Sequence, residues 1–243
     1  MTDICVIGGG LAGAEAALTL AENGVSVQLF EMRPQQKTGA HKTDKLAELV
    51  CSNSLKSNDL SNAQGGLKAE LRLLGSHLLQ FAEACAVPGG KALVVDRSRF
   101  AEKVTAAVEA HPKIEVVRQE KTEIPIENAI IAAGPLISET LQAQLLELSG
   151  ADGLFFFDAL APVISADSIN FDIVYAKNRY DDDVENADYL NCPFTKEEYS
   201  LFYEELIHSE QYALHDFEGR LFHVDKFRFY QNCMPIEELA RRG

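Results

Sequence analysis

A short apolar run followed by a cluster of glycines constrains the fold of this chain more than any other stretch. Residues 4–7 read ICVI, as expected for a parallel strand that is buried on both faces. The glycines that follow have the G-x-G-x-x-G spacing: Gly8, Gly10 and Gly13. An alanine-rich stretch then predicts a helix to about Asn23, and VSVQLFE predicts a second strand that ends in Glu31. This order predicts a Rossmann-like α/β fold.

The chemistry that this motif serves is the binding of a dinucleotide. The first glycine allows a tight turn, the second lets the backbone approach a pyrophosphate, and the third lets helix and strand pack closely. The amino terminus of the helix supplies N–H donors and partial positive charge to the phosphates. Glu31 stands where an acid binds both ribose hydroxyls. The alternative is a glycine-rich turn without a ligand, which the complete order of elements disfavours.

Two later segments favour FAD over NAD as the ligand. KALVVDRSRF (91–100) predicts an apolar strand, followed by Arg97 and a helical run from Phe100. AIIAAGP (129–135) predicts another buried strand, with a small-residue turn at Gly134. Both segments resemble those that return to the FAD site in flavoproteins with two dinucleotide-binding domains. Each segment alone is equally compatible with an ordinary strand of the sheet.

The length and the change of pattern along the chain predict two parts. The 243 residues, 47% of them hydrophobic, suffice for one large domain or two modest ones with their own cores. We place a boundary near residue 150, between an FAD-binding domain (1–150) and an inserted α+β substrate domain (151–243). Thr195 and Glu198 predict a capping box. Further elements are predicted as helical stretches at 62–86 and 194–211 and as short strands at 114–118 and 122–126.

Charge and cysteine content narrow the class of protein. The net charge of −15, from 37 acidic and 22 basic residues, argues against a broad face for nucleic acid. No apolar run approaches the roughly 20 residues that a membrane helix requires. Five cysteines without paired spacing predict reduced thiols in a cytoplasmic protein. Neither the cysteines nor the six histidines have the spacing of metal ligands, so no metal site is predicted.

Two of the cysteines stand in polar loops rather than in apolar runs. Cys51 lies in LVCSNSL, after the second strand, where loops at the carboxyl ends of parallel strands face a ligand. Cys233 lies in YQNCMPIEELARRG. A thiolate near a flavin, a helix end or a basic group is reactive, whereas the alternative for each is a buried small hydrophobe. We interpret Cys85 as a buried hydrophobe and Cys192 as structural.

Motifs spread almost from end to end carry a family resemblance: GGGLAGAEAAL, LFEMRP, HKTDKLAELVCSNSL, SNAQGGLKAELR, VDRSRF, AAGPLISE, ADYLNCPFTKEEY and CMPIEELARRG. On these motifs the chain resembles the folate- and FAD-dependent tRNA (uracil-5-)-methyltransferase family. That family is related to the large tRNA-modification protein with the glucose-inhibited-division name. The resemblance implies a glutathione-reductase-type flavoprotein fold, incomplete in this chain at its carboxyl end.

The resemblance also implies a reaction. A one-carbon unit passes from 5,10-methylenetetrahydrofolate to C5 of a uridine in tRNA, with FAD as cofactor and NAD(P)H as reductant. The implied catalytic residues are Cys51 and Cys233, one of them as the thiolate that adds at C6 of the uracil; their order stays open. The residues expected to bind the cofactor are Gly8, Gly9, Gly10, Leu11, Ala12, Gly13, Glu31, Met32, Arg33, Asn53, Ser54, Arg97 and Gly134.

Three residues of the HKTDKLAELVCSNSL motif have two interpretations. His41, Lys42 and Asp44 line the flavin or substrate pocket, or they form a solvated turn. The alternative for Arg97 is a surface ion pair. At Asn232 the family usually has glycine, so the turn before the cysteine is expected to differ.

Alternatives to the implied function remain at this stage. The RNA acceptor is tRNA, with ribosomal RNA as the alternative, and folate is the other partner; no membrane partner is expected. A generic FAD oxidoreductase and a non-catalytic remnant that still binds nucleotide or RNA are the competing classes. A truncated chain would expose sheet edges and apolar surface, which favours self-association.

Overall fold

The computed structural model of the protein describes residues 4–38, 40–50, 52–126, 128–134, 136–149, 164–178 and 187–209, together with Ile236 and Ala240. The chain splits into two compact units, Met1–Leu154 and Phe155–Gly243. The parallel sheet and the glycine turn both belong to the first unit. The division of the chain into a cofactor part and a substrate part stays a prediction.

The first unit alternates strands and helices. Its elements, in chain order, are β1 (Ile4–Ile7), α1 (Leu11–Glu22), β2 (Val27–Phe30), β3 (Ser54–Ser57), α2 (Ala63–Leu73), α3 (His77–Ala84), β4 (Ala86–Val87), β5 (Ala92–Val95), α4 (Arg97–Ala110), β6 (Ile114–Val117), β7 (Ala129–Ile131) and α5 (Glu139–Ser149). The described part of the second unit contains a 3-10 turn (Ala166–Ser168), β8 (Tyr175–Ala176), β9 (Leu190–Asn191) and α6 (Lys196–His208).

A four-stranded parallel sheet with the order β6-β2-β1-β7 carries the glycine turn. Ile4 of β1 is aligned with Val27 of β2, and Cys5 is aligned with Ala129 of β7. Parallel strands need crossover connections, and α1 supplies the one between β1 and β2. The predicted α/β fold with a Rossmann-like β–α–β start is therefore confirmed. The carboxyl ends of β1, β2 and β7 meet at the edge where ligands bind in such sheets.

Small residues let α1 pack closely on this sheet. Its buried positions are Gly13, Ala14, Ala17, Leu18 and Ala21. The core continues into α4 and into the loop after β2, and its largest fully buried apolar side chains are Phe100, Leu29, Leu46, Val6, Val27, Val95, Val104 and Val108. Each such side chain contributes about 1.5–3 kcal/mol by leaving water. The loop after β2 thus contributes buried side chains to the same core as the strands.

The predicted strand at 91–100 lies in a second sheet rather than beside β1. That sheet is antiparallel with the order β3-β5-β4. The helix after it begins at Arg97 rather than at Phe100, because the Asp96 carboxylate accepts hydrogen bonds from the N–H groups of Ser98 and Arg99 and caps the helix. The expectation from apolar spacing therefore missed one turn of helix.

The predicted helical stretch at 62–86 is two helices. Gly75 has φ +75° and ends α2, and the Ser76 hydroxyl then accepts from Leu79 N–H to start α3. Glu15 of α1 reinforces this start, because its carboxylate accepts from His77 N–H at 3.0 Å and from Leu78 N–H at 2.8 Å. A glycine in the left-handed conformation explains the break that leucine spacing did not reveal.

The predicted strand at 122–126 is wrong, whereas that at 114–118 is confirmed as β6. Gln144 of α5 takes the hydrogen bonds that a strand neighbour would take: its Oε1 accepts from Ile124 N–H and its Nε2 donates to Thr122 O. Pro125 also lacks the N–H that a central strand uses. The side chain of Gln144 therefore forms the hydrogen bonds that a neighbouring strand would otherwise form with this segment.

Two further expectations meet different outcomes. The strand at 129–135 was expected to be buried, but β7 is an edge of the sheet and Ile130 is 36% exposed. The capping box before α6 is confirmed, since Thr195 Oγ1 accepts from Glu198 N–H and the Glu198 carboxylate accepts from Thr195 N–H. In the described part of the chain, no helix is both long enough and apolar enough to cross a membrane.

Candidate functional site

Two glycines of the turn are required by the protein's own packing. Gly8 has φ +102°, and a Cβ there would lie 2.5 Å from the carbonyl oxygen of Ala132, in the segment after β7. A Cβ at Gly13 would collide with the carbonyl oxygen of Gly8. The turn therefore brings β1, α1 and the residues after β7 into contact through backbone alone.

Gly10 is different, because no atom of the described residues requires a glycine there. Among those residues, a Cβ at Gly10 would have no atom within 4 Å, and its φ of −72° is open to any residue. Gly10 is also the N-cap of α1, whose first turn has neither a side-chain cap nor an acid. Leu11 beside it is 39% exposed. A helix amino terminus with free N–H groups and open space above its backbone is suited to bind the phosphates of a dinucleotide.

Glu31 lies next to this turn, at the end of β2, and is 5% exposed. Its Oε2 accepts from Gly9 N–H at 3.0 Å, and a Cβ at Gly9 would lie 2.8 Å from the same atom. Arg33 supplies three more donors: its N–H (3.0 Å) and Nε (2.8 Å) to Oε1 and its Nη2 (3.1 Å) to Oε2. All four acceptor positions of the carboxylate are therefore engaged.

The charge of Glu31 is stabilised in this position. Burial alone would raise the pKa of the Glu31 carboxyl, but hydrogen bonds and charge from Arg33 and the N–H of Gly9 outweigh it and lower that pKa below its ordinary value. The carboxylate is thus ionised and oriented beside the glycine turn, as an acceptor for ribose hydroxyls must be.

Arg33 connects Glu31 with a second acid that the sequence did not single out. Arg33 is 1% exposed, and its Nη1 donates to Glu48 Oε2 at 3.0 Å. Burial alone would raise the pKa of the Glu48 carboxyl, but N–H groups of Lys42 and Thr43, the Thr43 hydroxyl and the charge of Arg33 lower it instead. Glu48 stands within the HKTDKLAELVCSNSL motif, but nothing in that motif indicates a contact with Arg33, so only the fold reveals its partners.

The loop after β2 is hydrogen-bonded to the glycine turn. Ala47 N–H donates to Gly9 O at 2.8 Å, and Leu46 N–H donates to the Thr105 hydroxyl of α4 at 2.9 Å. Leu46 is fully buried, and its Cδ2 would lie 2.5 Å from a Cβ at Gly9. Thr105 is therefore a second residue that sequence reasoning missed, since a single threonine in a helical pattern carries no signal.

The three predicted residues of the 41–44 segment contribute through different atoms. His41 Nδ1 lies 2.6 Å from Thr38 Oγ1, and Lys42 uses its backbone N–H on Glu48. Asp44 is exposed and its carbonyl accepts from Arg118 Nη1 at 2.6 Å. The choice between a pocket lining and a solvated turn stays open for their side chains.

The remaining predicted cofactor residues lie on several elements. Asn53 is exposed with its carbonyl bonded to Val95 N–H, and Ser54 begins β3. Met32, between Glu31 and Arg33 in the sequence, is half-buried. Gly134 follows β7 with φ +66°, and a Cβ there would have no atom of the described residues within 4 Å. None of these contacts tests their predicted role.

Arg97 is half-buried at the first position of α4. The surface ion pair considered for it is not formed with any residue that the structure describes. A partly buried guanidinium without an acid beside it is available to an anion.

The cysteines divide into described and undescribed ones. Cys51 and Cys233, the expected catalytic pair, lie outside the described residues, as do Asn232 and most of the acidic stretch 181–188. Cys85 is buried, as predicted, at 4% exposure. Cys192 was expected to be structural, but it is an exposed free thiol at the end of β9, where a two-stranded sheet leaves it open to solvent. Among the described residues, no group of three or more His, Cys, Asp or Glu is placed to hold a metal ion.

Comparisons with known proteins give a consistent relationship. The family described as "Glucose inhibited division protein A" matches residues 3–243. The proteins named methylenetetrahydrofolate–tRNA-(uracil-5-)-methyltransferase TrmFO from Bacillus licheniformis and Bacillus subtilis are each 52% identical over 98% of this chain and 53% of their own length. The protein of that name from Halalkalibacterium halodurans is 51% identical over 99% of this chain and 53% of its own length. The chain thus spans about half the length of these curated relatives.

The likeness to solved structures is weaker. GidA of Aquifex aeolicus is 22% identical, with a TM-score of 0.42 over 52% of this chain and 21% of that chain. A superposition at this level carries no argument, so the fold stands on the strand order of the chain itself.

Proposed function

This chain belongs to the glucose inhibited division protein A family, and on that premise we propose that it serves folate- and FAD-dependent methylation of C5 of a uridine in tRNA. The one-carbon unit comes from 5,10-methylenetetrahydrofolate, and NAD(P)H is the reductant. The relatives named for this activity share about half their length with the chain, so the activity is proposed for the protein and not read from their names. The reduced thiols argue for a cytoplasmic setting.

The observation that carries the proposal is the open backbone at Gly10. The packing of the chain requires glycine at 8 and 13, but at Gly10 a Cβ would point into space, with no atom of the described part of the chain within 4 Å. That space lies over the uncapped amino terminus of α1 and beside the turn that Glu31 touches. A pyrophosphate on the helix and a ribose at the acid use each of these features, which supports a dinucleotide site.

FAD is the dinucleotide that the rest of the site favours. When bound, the flavin supplies redox chemistry for the one-carbon unit. The residues proposed to hold it are the glycine turn, Glu31 and Arg97, with Asn53 and Ser54 toward the flavin ring. The Arg97 guanidinium has no acid partner among the described residues and suits a phosphate. In this proposal residues 1–150 bind FAD, and residues 151–243 belong to the substrate-binding part.

Cys51 and Cys233 are the proposed covalent and assisting thiols. C5 of uracil is a poor nucleophile, and addition of a thiolate at C6 makes C5 an enolate carbon that can attack an electrophilic carbon. In the sequence, Cys51 directly follows the loop whose Ala47 N–H donates to Gly9 O. This connection supports the proposal that the thiol acts near the dinucleotide site. Their individual roles stay open.

The proposal is tested with unmodified tRNA, labelled methylenetetrahydrofolate, FAD and NADPH, and mass analysis of the released nucleosides. Assays include the chain alone and the chain supplemented with the carboxyl-terminal half of the Bacillus subtilis relative. We expect 5-methyluridine in tRNA, lost in Cys51→Ala and in Cys233→Ala, and retained in the control Cys192→Ala. Ribosomal RNA is the second acceptor offered. Methylation that survives both cysteine substitutions, or NADPH turnover indifferent to folate and RNA, contradicts the proposal.

A further inference from the structure

A buried guanidinium joins two carboxylates on either side of it. Arg33 places Nε and Nη2 on Glu31 at 2.8 and 3.1 Å and Nη1 on Glu48 at 3.0 Å. With the described residues, its guanidinium makes one further hydrogen bond, from Nη1 to Thr43 O at 3.4 Å. Since the side chain of Arg33 is only 2% exposed, water does not compete for these contacts. The two acids are therefore linked through one residue.

Glu48 organises the loop at its own end of this link. Its Oε1 accepts from Lys42 N–H at 3.0 Å, and its Oε2 accepts from Thr43 N–H at 3.2 Å and from the Thr43 hydroxyl at 2.9 Å. These bonds close the segment 42–48, which has no regular secondary structure of its own. Glu48 therefore fixes the start of this loop, whereas Leu46 and Ala47 are held by Thr105 and Gly9.

Glu31 has no acceptor position to spare for a ribose. It accepts four hydrogen bonds, which is the capacity of a carboxylate, and three of the four donors belong to Arg33. A ribose hydroxyl that binds Glu31 must replace one donor. The Gly9 and Arg33 N–H groups are fixed by the backbone, so the replaced donor is a guanidinium N–H of Arg33. Within the described ranges, Glu48 is the other acid that Arg33 contacts.

We propose that Glu48 is a positioning residue for the ribose end of the dinucleotide site: it holds Arg33 while Glu31 exchanges a donor for a ribose hydroxyl, and so couples occupation of that site to the 42–48 loop. This inference rests on the dinucleotide site proposed above. It adds a residue that touches neither ligand nor reacting atoms and acts through Arg33 on one side and through two backbone N–H groups on the other.

The test uses ADP, which has the ribose and diphosphate of the dinucleotide but no flavin to cover a thiol. ADP affinity is measured by calorimetry on the 243-residue chain, and alkylation of Cys51 by iodoacetamide is followed by peptide mass analysis with and without ADP. The variants are Glu48→Gln, the milder Thr43→Val, and the matched control Glu109→Gln, whose acid forms an exposed ion pair with Arg118. Urea unfolding of each variant separates lost coupling from lost stability.

We expect ADP to slow alkylation of Cys51 at least threefold in the unaltered chain and in Glu109→Gln. In Glu48→Gln we expect ADP to bind at least fivefold more weakly and to have no effect on alkylation at saturation, with a partial loss in Thr43→Val. If Glu48→Gln does not fold, the ADP affinity and the alkylation of Cys51 in Thr43→Val decide whether the inference stands. Variants that behave like Glu109→Gln in both measurements overturn the inference alone. Failure of ADP to bind the unaltered chain overturns the dinucleotide site as well.

Discussion

Among the residues that the structure describes, the first unit buries a core of large apolar side chains, whereas the second unit buries none. In the first unit, leucine, valine and phenylalanine side chains of β1, β2, β5, α1 and α4 form one buried core. In the described part of the second unit, Asn178 is the one buried residue, while large side chains are exposed, among them Phe171, Ile173, Tyr175, Phe194, Tyr199 and Leu201. A segment that buries its own core can hold polar groups in fixed positions, and the Glu31–Arg33–Glu48 cluster is an example.

The difference in burial between the two units determines where buried polar groups can be held in fixed positions. A buried charged cluster costs desolvation, and it persists only where the surroundings fix every partner. The first unit meets that condition beside the glycine turn. In the described second unit, the Thr195 capping box lies at the surface and stabilises the start of α6. Substitutions in the first unit should therefore have larger effects than matched ones in the second.

The largest effect is expected from Arg33→Met. It leaves two buried carboxylates without their counter-charge, and breaking such a group costs about 3–5 kcal/mol. The control Arg72→Met breaks an exposed pair with Glu83 and should cost less than about 1 kcal/mol. Urea unfolding followed by circular dichroism measures both. Equal losses would mean that the cluster does not stabilise the fold.

The next effect concerns the glycines. Gly13→Ala places a Cβ on the Gly8 carbonyl and should destabilise the first unit by about 1–3 kcal/mol. The control Gly66→Ala lies within α2 with no atom within 4 Å and should stabilise by about 0.5–1 kcal/mol, because alanine favours helix. Thermal unfolding distinguishes these opposite signs. A shift of the same sign in both variants would contradict the packing described for the turn.

A smaller effect is expected in the second unit. Thr195→Ala removes one half of the capping box of α6 and should cost about 1 kcal/mol. Hydrogen exchange of the α6 amides reports this locally, with faster exchange in the first turn. Exchange in α1 and α4 should not change, and a change there would show that the effect is not confined to the helix.

The smallest difference should appear on acidification. The pKa values of Glu31 and Glu48 lie below the ordinary 4.5, so both groups stabilise the fold above that pH and lose their contribution as pH falls through their folded-state values. The variant Glu48→Gln lacks one of these two groups. Its urea midpoint should therefore fall less steeply with decreasing pH than that of the unaltered chain. A limb as steep as that of the unaltered chain would show that folding does not lower the pKa of the Glu48 carboxyl.

Local patterns predicted the parts of the fold that depend on neighbours in sequence. The β1–α1–β2 unit and the capping box at Thr195 follow from glycine spacing and from a four-residue motif. Part of what escaped prediction is local, such as the Asp96 cap and the break at Gly75, and part depends on partners far along the chain. Gln144 replaces a strand neighbour for Ile124, and Glu48 bonds to Arg33 across a loop.

The candidate site likewise contains features that the sequence predicted and features that it did not. The glycines and Glu31 have a recognisable order, so their closeness was predictable. The saturation of Glu31 by Arg33, the role of Glu48 and the hydroxyl of Thr105 were not predictable, because each depends on where the fold directs a side chain, which no motif specifies.

The central claim is that the open backbone at Gly10 receives a dinucleotide, and titration of the 243-residue chain with FAD, followed by flavin fluorescence, tests it most directly. The unaltered chain and Gly66→Ala should bind FAD with equal affinity. Gly10→Ala, which fills the open space and leaves the core intact, should bind at least tenfold more weakly with an unfolding midpoint nearly unchanged. Equal binding by Gly10→Ala, or no binding by the unaltered chain, would contradict the claim.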